Sequence, residues 1–315
     1  MFTLKDLLTN PSRDLLKYTT AANIAAITKI DELYGQAGTY DFEPMPDGSC
    51  GGIVVVRHDE PEQKFFVKRF AADFAGRSAN YDSICEFFYY KLLEHLGYGP
   101  KCHITQDGER DYILISQDLN QVKTESGTVK KFETHKDSIK KHRVSHHIPN
   151  SPKSKNFYRD FMASEILIRL LELDDVHMNT GNMGTVVTTG PKTSPHEPKV
   201  KTKIVDFTLP HKLVHPEAVI SFQEITDSLR EVWRSDFLSR LNAADREKEY
   251  QQALQKIFCG DEKHPPIMDA ISVAYEECVR EMTPTQSRAK LDRMVEQIKL
   301  KVHSNIESVA LHSSL

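Results

Sequence analysis

No apolar run in these 315 residues approaches the roughly 20 that a bilayer-crossing helix requires, so no transmembrane helix is expected. Cysteine is sparse and scattered. Cys50, Cys85, Cys102, Cys259 and Cys278 include no CxxC pair, which argues against a zinc ribbon or a disulfide scaffold and reads as free thiols of a reducing, cytoplasmic compartment. His142 and His146 stand at helical i, i+4 spacing, but no cysteine or acid completes a metal shell, and they read as basic surface. The first twenty residues, MFTLKDLLTNPSRDLLKYTT, are mixed and charged, unlike a cleavable signal. Internal repeats are lacking, which excludes solenoids and propellers. Tryptophan occurs once, and Trp233 lies on an apolar stripe that suits a core. The net charge of −4 gives the chain as a whole no bulk attraction for polyanions.

What is present begins with Asp174 to Gly184, DDVHMNTGNMG, followed after a spacer by KIVDF ending in Asp206 and Phe207. Carboxylates and an imidazole, then amides beside glycines, then a strand that delivers an Asp, are the residue types that phosphoryl transfer needs. One group orients the attacking hydroxyl, and an amide oxygen with a carboxylate holds a divalent ion on the phosphates. Upstream, DGSCGG supplies Gly48, Gly51 and Gly52 beside the apolar runs Ile53–Val56 and Lys64–Val67, which read as buried strands. Glycines there let backbone N–H groups approach phosphate oxygens without interference from Cβ. Lys68 closes the second run, where burying an ammonium is costly unless it meets an anion.

A helix is expected over Ser83 to Gly97, with Ile84, Phe87, Phe88, Leu92 and Leu96 on its apolar face and Gly97 as its stop. Glu86, in its first turns, could reach back to Lys68; Glu94, two turns later, is the alternative. Asp111–Ser116 reads as a strand, and Gln117–Gln121 as a hinge whose backbone, at Gln117 and Leu119, would meet an adenine. Ser164–Leu173 reads as an apolar helix leading into the Asp174 segment.

In this order the motifs over Thr39 to Pro210 resemble an atypical member of the protein-kinase-like superfamily. The chain looks nearer to divergent branches, namely bacterial effector kinases of the Legionella type, phosphoinositide kinases and toxin-type kinases, than to ordinary Ser/Thr or Tyr kinases. The resemblance implies an α+β, bilobal fold with a small β-rich N-lobe and a mainly helical C-lobe. It implies ATP as phosphoryl donor, with Mg²⁺ or Mn²⁺. It gives Lys68 to the α- and β-phosphates, Glu86 to the orientation of Lys68, and Asp206 to the metal, although Phe207 is followed by Thr208 and not by glycine. The family spaces base and metal-binding Asn five residues apart, and here three registers stay open: Asp174 with Asn179, Asp175 with Thr180, and His177 with Asn182. Asp175 is taken as the carboxylate nearest the acceptor hydroxyl, Asn182 as the metal ligand, and His177 as an alternative base. The expected activity is phosphoryl transfer to Ser/Thr-type hydroxyls of a protein substrate. A phosphoinositide or other non-protein kinase, an AMP transferase, and a catalytically dead binding module of the same fold are carried beside it. The likeness to effector kinases also implies a host cytosol as an alternative compartment.

Charge is unevenly distributed. Gln121 to Arg159 holds ten Lys/Arg against three acids, with four histidines interleaved. A kinase-like chain needs only a short connection there, so Lys130, Lys131, Lys136, Lys140, Lys141, Arg143, His146, His147, Lys153 and Lys155 are read as a basic insertion for a polyanion. The alternative is a solvated loop. An inositol polyphosphate such as inositol hexakisphosphate, acting as activator, or an anionic lipid head group suits such a cluster. Specific nucleic-acid binding is not expected, because stacking aromatics are nearly absent. The expected divisions are a helical extension over 1–38, an N-lobe over 39–117, the hinge, insertion and catalytic segment over 118–215, and a helical remainder over 216–315. Thr188 to Lys203 reads as an exposed hairpin loop. No Ala-Pro-Glu segment follows Asp206, which leaves little room for an ordinary activation loop.

Overall fold

The computed structural model describes residues 1–9, 12, 18–44, 52–58, 63–69, 79–106, 112–120, 129–134, 154–173, 176, 182–189, 199–205, 219–222, 242–282 and 288–313, with only the backbone at 44, 69, 79–83, 112, 154–156, 199–200 and 308–313. Strands β1 (Tyr40–Pro44), β2 (Ile53–Arg57), β3 (Gln63–Arg69), β4 (Cys102–Gln106) and β5 (Tyr112–Gln117) form one antiparallel sheet in the order β1-β2-β3-β5-β4. Because strand side chains alternate, the sheet has two distinct faces. Val55, Phe65, Val67, Ile113 and Ile115 are buried with α1 (Leu4–Thr9) and α2 (Ala21–Tyr34). The opposite parity puts Lys68 directly across from Leu114, which in turn pairs with Ile104, on the face that packs against α3 (Ala79–His95). A one-residue register slip would exchange the two faces and turn Lys68 away from α3.

The N-terminal extension is part of this layer, not an appendage to it. Helix α2 starts at Thr20, whose side chain accepts from the Asn23 N–H, and ends at Gly35 in the left-handed region. Its Ala22, Ala26, Ile27 and Ile30 cover the sheet. Arg57, fully buried at the end of β2, locks the two together. Its guanidinium lies 3.6 Å from Asp31, donates to Tyr40 Oη at 3.3 Å and to the Gln36 carbonyl at 3.2 Å, and stacks 4.1 Å from the Tyr34 ring.

Over its described side chains helix α3 is buried nearly all round, because one core surrounds it, with Ile104 and Leu114 of the sheet on one side and the later helices on the other. It begins a turn earlier than the apolar spacing indicates. It ends where Gly97, at φ 79°, donates to the Glu94 carbonyl, while Tyr98 and Gly99 donate to that of Leu93. A Cβ on Gly97 would fall 2.4 Å from the His264 ring, so the position requires glycine for space as well as for backbone.

The second half is helical around a small second sheet, β6 (Val129–Thr134), β7 (Met183–Thr189) and β8 (Lys199–Ile204), ordered β6-β7-β8. Helices α4 (Ser154–Leu170), α5 (Ala243–Cys259), α6 (Ile267–Glu281) and α7 (Ala289–Ser313) share one core with α3. The architecture is thus the expected α+β one, a β-rich first part and a mainly helical second part.

Three local expectations are corrected. Val129–Thr134 is a strand, not part of a connecting loop: it lies on a half-exposed edge, so VKKFET has no apolar run. Helix α4 starts at Ser154, ten residues before the expected Ser164, because its first turns carry charge. Thr188 and Thr189 belong to β7 and Lys199–Lys203 to β8, contrary to a loop over the whole of 188–203; residues 190–198 lie outside the described residues. Cys85, Cys102, Cys259 and Cys278 are free thiols, and burial pushes those of Cys102 and Cys278 well up, leaving them unreactive.

Candidate functional site

The structure joins Lys68 and Glu86. Lys68 Nζ donates to Glu86 Oε1 at 2.9 Å, with the side chains 22% and 12% exposed. Strand parity supplies the lysine, and the second turn of α3 supplies the acid. Glu94 is engaged elsewhere, with Lys91 Nζ at 3.0 Å and the Cys102 N–H at 3.1 Å.

One turn beyond Glu86, on the same face of α3, Tyr90 donates from Oη to the Val205 carbonyl at 3.2 Å. Val205 N–H donates in turn to the Asn182 carbonyl at 2.9 Å. This last bond extends the β7–β8 ladder, in which Met183 faces Ile204, and it brings the residue before β7 level with the residue after β8. Asn182 is buried, and Asp206, next in the chain after Val205, lies outside the described residues. Helix α3 therefore ties the Lys68 ammonium, through Glu86 and Tyr90, to the strand ends that carry Asn182 and lead into Asp206. Tyr90 and Val205 were not singled out from sequence, although the i, i+4 rule applied to Glu86 would have found Tyr90.

The remaining candidates divide. Gly48, Gly51, Asp175 and His177 lie outside the described residues, as does Asp174; Gly52 immediately precedes β2. Leu173 and Val176, which bracket Asp174 and Asp175, are both buried, and Val176 N–H donates to the Leu173 carbonyl at 3.0 Å. Gln117 donates its backbone N–H to the Lys101 carbonyl and its side-chain amide to Gln63, so its main-chain donor is used within the sheet; Leu119 follows at a bend.

Of the basic candidates, Lys130 and Lys131 are neighbours on β6 and so point to opposite faces of the sheet, contrary to a single cluster containing both. Lys136, Lys140, Lys141, Arg143, His146, His147 and Lys153 lie outside the described residues, and only the backbone of Lys155 is described. Lys203, on the sheet face that Lys130 shares, donates to the Gly97 and Gly99 carbonyls at 2.8 and 3.0 Å. Burial first, then Lys201, lowers its pKa to about 8.

Among the described residues no group of three or more His, Cys, Asp or Glu converges on one point. The donor types available at the strand ends, an amide oxygen from Asn182 and a carboxylate from Asp206, are hard oxygen ligands. They fit Mg²⁺ or Mn²⁺ and not a soft or imidazole-preferring metal.

A lysine on the third strand of a five-stranded antiparallel sheet, paired to a glutamate on the helix after that strand, is the small-lobe arrangement of the protein-kinase-like fold. No protein-family description matches the chain, and no curated protein does. Among solved structures, the chain is similar to the Helicobacter pylori proinflammatory kinase CtkA, with a TM-score of 0.49 and 15% identity over 88% of this chain and 98% of that one. It is also similar to the MAP kinase LmaMPK10 from Leishmania major, with a TM-score of 0.35 and 14% identity over 91% and 86%. Strand order and the Lys68–Glu86 pair carry the fold assignment independently of these likenesses.

Proposed function

We propose that the protein is an atypical ATP-dependent kinase that transfers a phosphoryl group to a Ser/Thr-type hydroxyl of a protein substrate. The observation that supports this best is the continuous link from Lys68 through Glu86 and Tyr90 to Val205 and Asn182. It supports a reading in which a triphosphate is held between a cation on one sheet and metal ligands on another.

In this reading the backbone at Gly48, Gly51 and Gly52 covers the phosphates, and the main chain at Leu119 meets the adenine. Lys68 neutralises the α- and β-phosphates while Glu86 keeps its ammonium in place. Asn182 and Asp206 would hold Mg²⁺ or Mn²⁺, which when bound neutralises charge on the phosphate oxygens. Asp175 orients the acceptor hydroxyl and takes its proton, or His177 does so in its neutral form. The hydroxyl oxygen forms the new bond to the γ-phosphorus as the bond from that phosphorus to the β-phosphate oxygen breaks, and ADP leaves. A phosphorylated small molecule such as inositol hexakisphosphate, or an anionic lipid head group, is the activator proposed for the basic 121–159 segment. A rise in melting temperature with inositol hexakisphosphate, not matched by sulfate at equal ionic strength, tests it.

ATP labelled at either the γ or the α position, incubated with candidate protein and lipid acceptors, tests the reaction. Transfer of γ-label to protein, lost in Lys68→Ala and Asp206→Ala, is expected. Transfer of α-label instead identifies an AMP transferase, and nucleotide binding without transfer of either label identifies a binding module.

A further inference from the structure

The segment that leads into Asp174 and Asp175 is gripped from the far end of the chain. Glu172, two residues beyond α4, has φ 53° and is the only non-glycine residue with a positive φ among the described residues. An L-residue stays in that conformation only where its surroundings over-determine it. Here the surroundings are α7. Lys301 Nζ meets Glu172 Oε1 at 2.5 Å across 129 residues of sequence, and the lysine side chain is only 4% exposed. One turn further along α7, buried Asn305 accepts from the Ile220 N–H at 2.8 Å, and the Ile220 carbonyl accepts from Tyr250 Oη at 2.9 Å. On α3, burial, then Cys85, then the Glu172 carboxylate push the Tyr89 phenol pKa upward, so Glu172 sits where α3, α4 and α7 meet.

Packing alone does not call for these polar groups. Leu291, Val295, Ile298 and Val302 already give α7 a buried apolar stripe at spacings of four, three and four. A buried ion pair is often no more stabilising than a well-packed apolar pair of the same size, and its best-attested use is to fix one geometry among several. What is fixed here is the direction in which the chain leaves α4. Leu173 N–H closes back onto the Ile168 carbonyl at 2.9 Å, and the buried Leu173 and Val176 bracket Asp174 and Asp175.

We infer that Lys301 is a positioning residue for the phosphoryl-transfer segment: through Glu172 it holds the left-handed turn by which the chain leaves α4 toward Asp174 and Asp175, and Asn305 holds Ile220, downstream of Asp206, from the same helix. The inference rests on the kinase reading for the role of that segment, but the grip itself is measurable without any activity.

Three full-length variants test it: Lys301→Met, Lys301→Arg, and Glu172→Gln with Lys301→Met, the last leaving no uncompensated carboxylate. Hydrogen exchange is followed across the whole chain, together with kcat and the KM for ATP. In Lys301→Met the amides of residues 171–182 are expected to exchange about tenfold faster than in the wild type, with α2 and the first sheet unchanged. The expected kcat falls about tenfold with KM for ATP held within about twofold, because the Lys68 side of the site is untouched. Lys301→Arg retains most of both. The double variant regains melting temperature but neither exchange protection nor kcat, and it carries the same readouts should Lys301→Met fail to fold. Unchanged exchange at 171–182, or a rise spread evenly over the chain, overturns the inference, as does faster local exchange with kcat intact. If the wild type transfers no phosphate at all, the kinase reading fails while the exchange data still decide whether Lys301 holds the turn.

Discussion

Replacing Glu86 by Gln removes the charge from the Lys68 partner and leaves its size and hydrogen-bonding capacity nearly unchanged. At 2.9 Å, and with an effective dielectric of about 20, the gross attraction between the two charges is about 6 kcal/mol. Desolvation of both ions offsets most of this, and residual exposures of 22% and 12% allow some screening, leaving a net coupling of about 1–3 kcal/mol. If that coupling orients Lys68 on the phosphates, Glu86→Gln lowers kcat/KM for ATP by roughly 5- to 150-fold. The loss of stability is bounded by the same coupling, about 1–3 kcal/mol, and is reduced to the extent that the freed ammonium reaches water. The assay is γ-label transfer at several ATP concentrations, run beside Lys68→Met and the double variant. The double variant is expected to be no worse than Lys68→Met alone, since the two residues act as one unit. Glu94→Gln is the control: its carboxylate serves Lys91 and Cys102, so it should cost stability and leave transfer intact. Transfer within twofold of wild type in Glu86→Gln, or strictly additive losses in the double variant, refutes the reasoning.

Other perturbations address the scaffold. His103 is held neutral, its pKa lowered to about 4 by burial first and by Lys91 next. Between pH 6.5 and 4 the unfolded chain takes up a proton that the folded one resists, so stability falls as pH drops through that window, by up to about 3 kcal/mol before discounting partial exposure. Urea unfolding should therefore show a shallower acid slope for His103→Gln than for the wild type; parallel slopes contradict the assignment. Gly97→Ala combines a φ of 79° with a Cβ 2.4 Å from the His264 ring and should cost about 1–3 kcal/mol, part of it recovered by His264→Ala, as read by thermal unfolding. Arg57→Met strips a fully buried cation from Asp31 and Tyr34; a loss of about 3–5 kcal/mol is expected in denaturant unfolding, and a loss below about 1 kcal/mol would show that the N-terminal helices are dispensable to the sheet.

The parts of the fold visible in the sequence are those with a local cause. Lys68 stood out because an ammonium at the end of an apolar strand needs an anion. Glu86 stood out because it lies in the early turns of a helix that follows that strand. The strand β6 was hidden: on a half-exposed edge, VKKFET offers neither an apolar run nor a clean alternation, and its lysines read as loop. The first turns of α4 were hidden by charge that the fold engages at long range, with Arg159 3.3 Å from Glu249 and Asp160 2.7 Å from Lys256. Lys301 with Glu172 leaves no trace in any local period, since a pair 129 residues apart is set by how α4 and α7 cross. Sequence spacing leaves three registers open for Asn182 and the base, whereas the ladder bond from Val205 N–H puts the Asn182 backbone beside the residue that precedes Asp206.

The proposed convergence of Lys68 with Asn182 and Asp206 on one nucleotide is best tested by a crystal structure with a non-hydrolysable ATP analogue and Mn²⁺, whose anomalous scattering locates the metal. Lys68 Nζ is predicted to lie within hydrogen-bond distance of an α- or β-phosphate oxygen, with Mn²⁺ bound by the Asn182 amide oxygen and the Asp206 carboxylate. A nucleotide bound away from Lys68, or Lys68 and Asp206 opening into separate cavities, would contradict it.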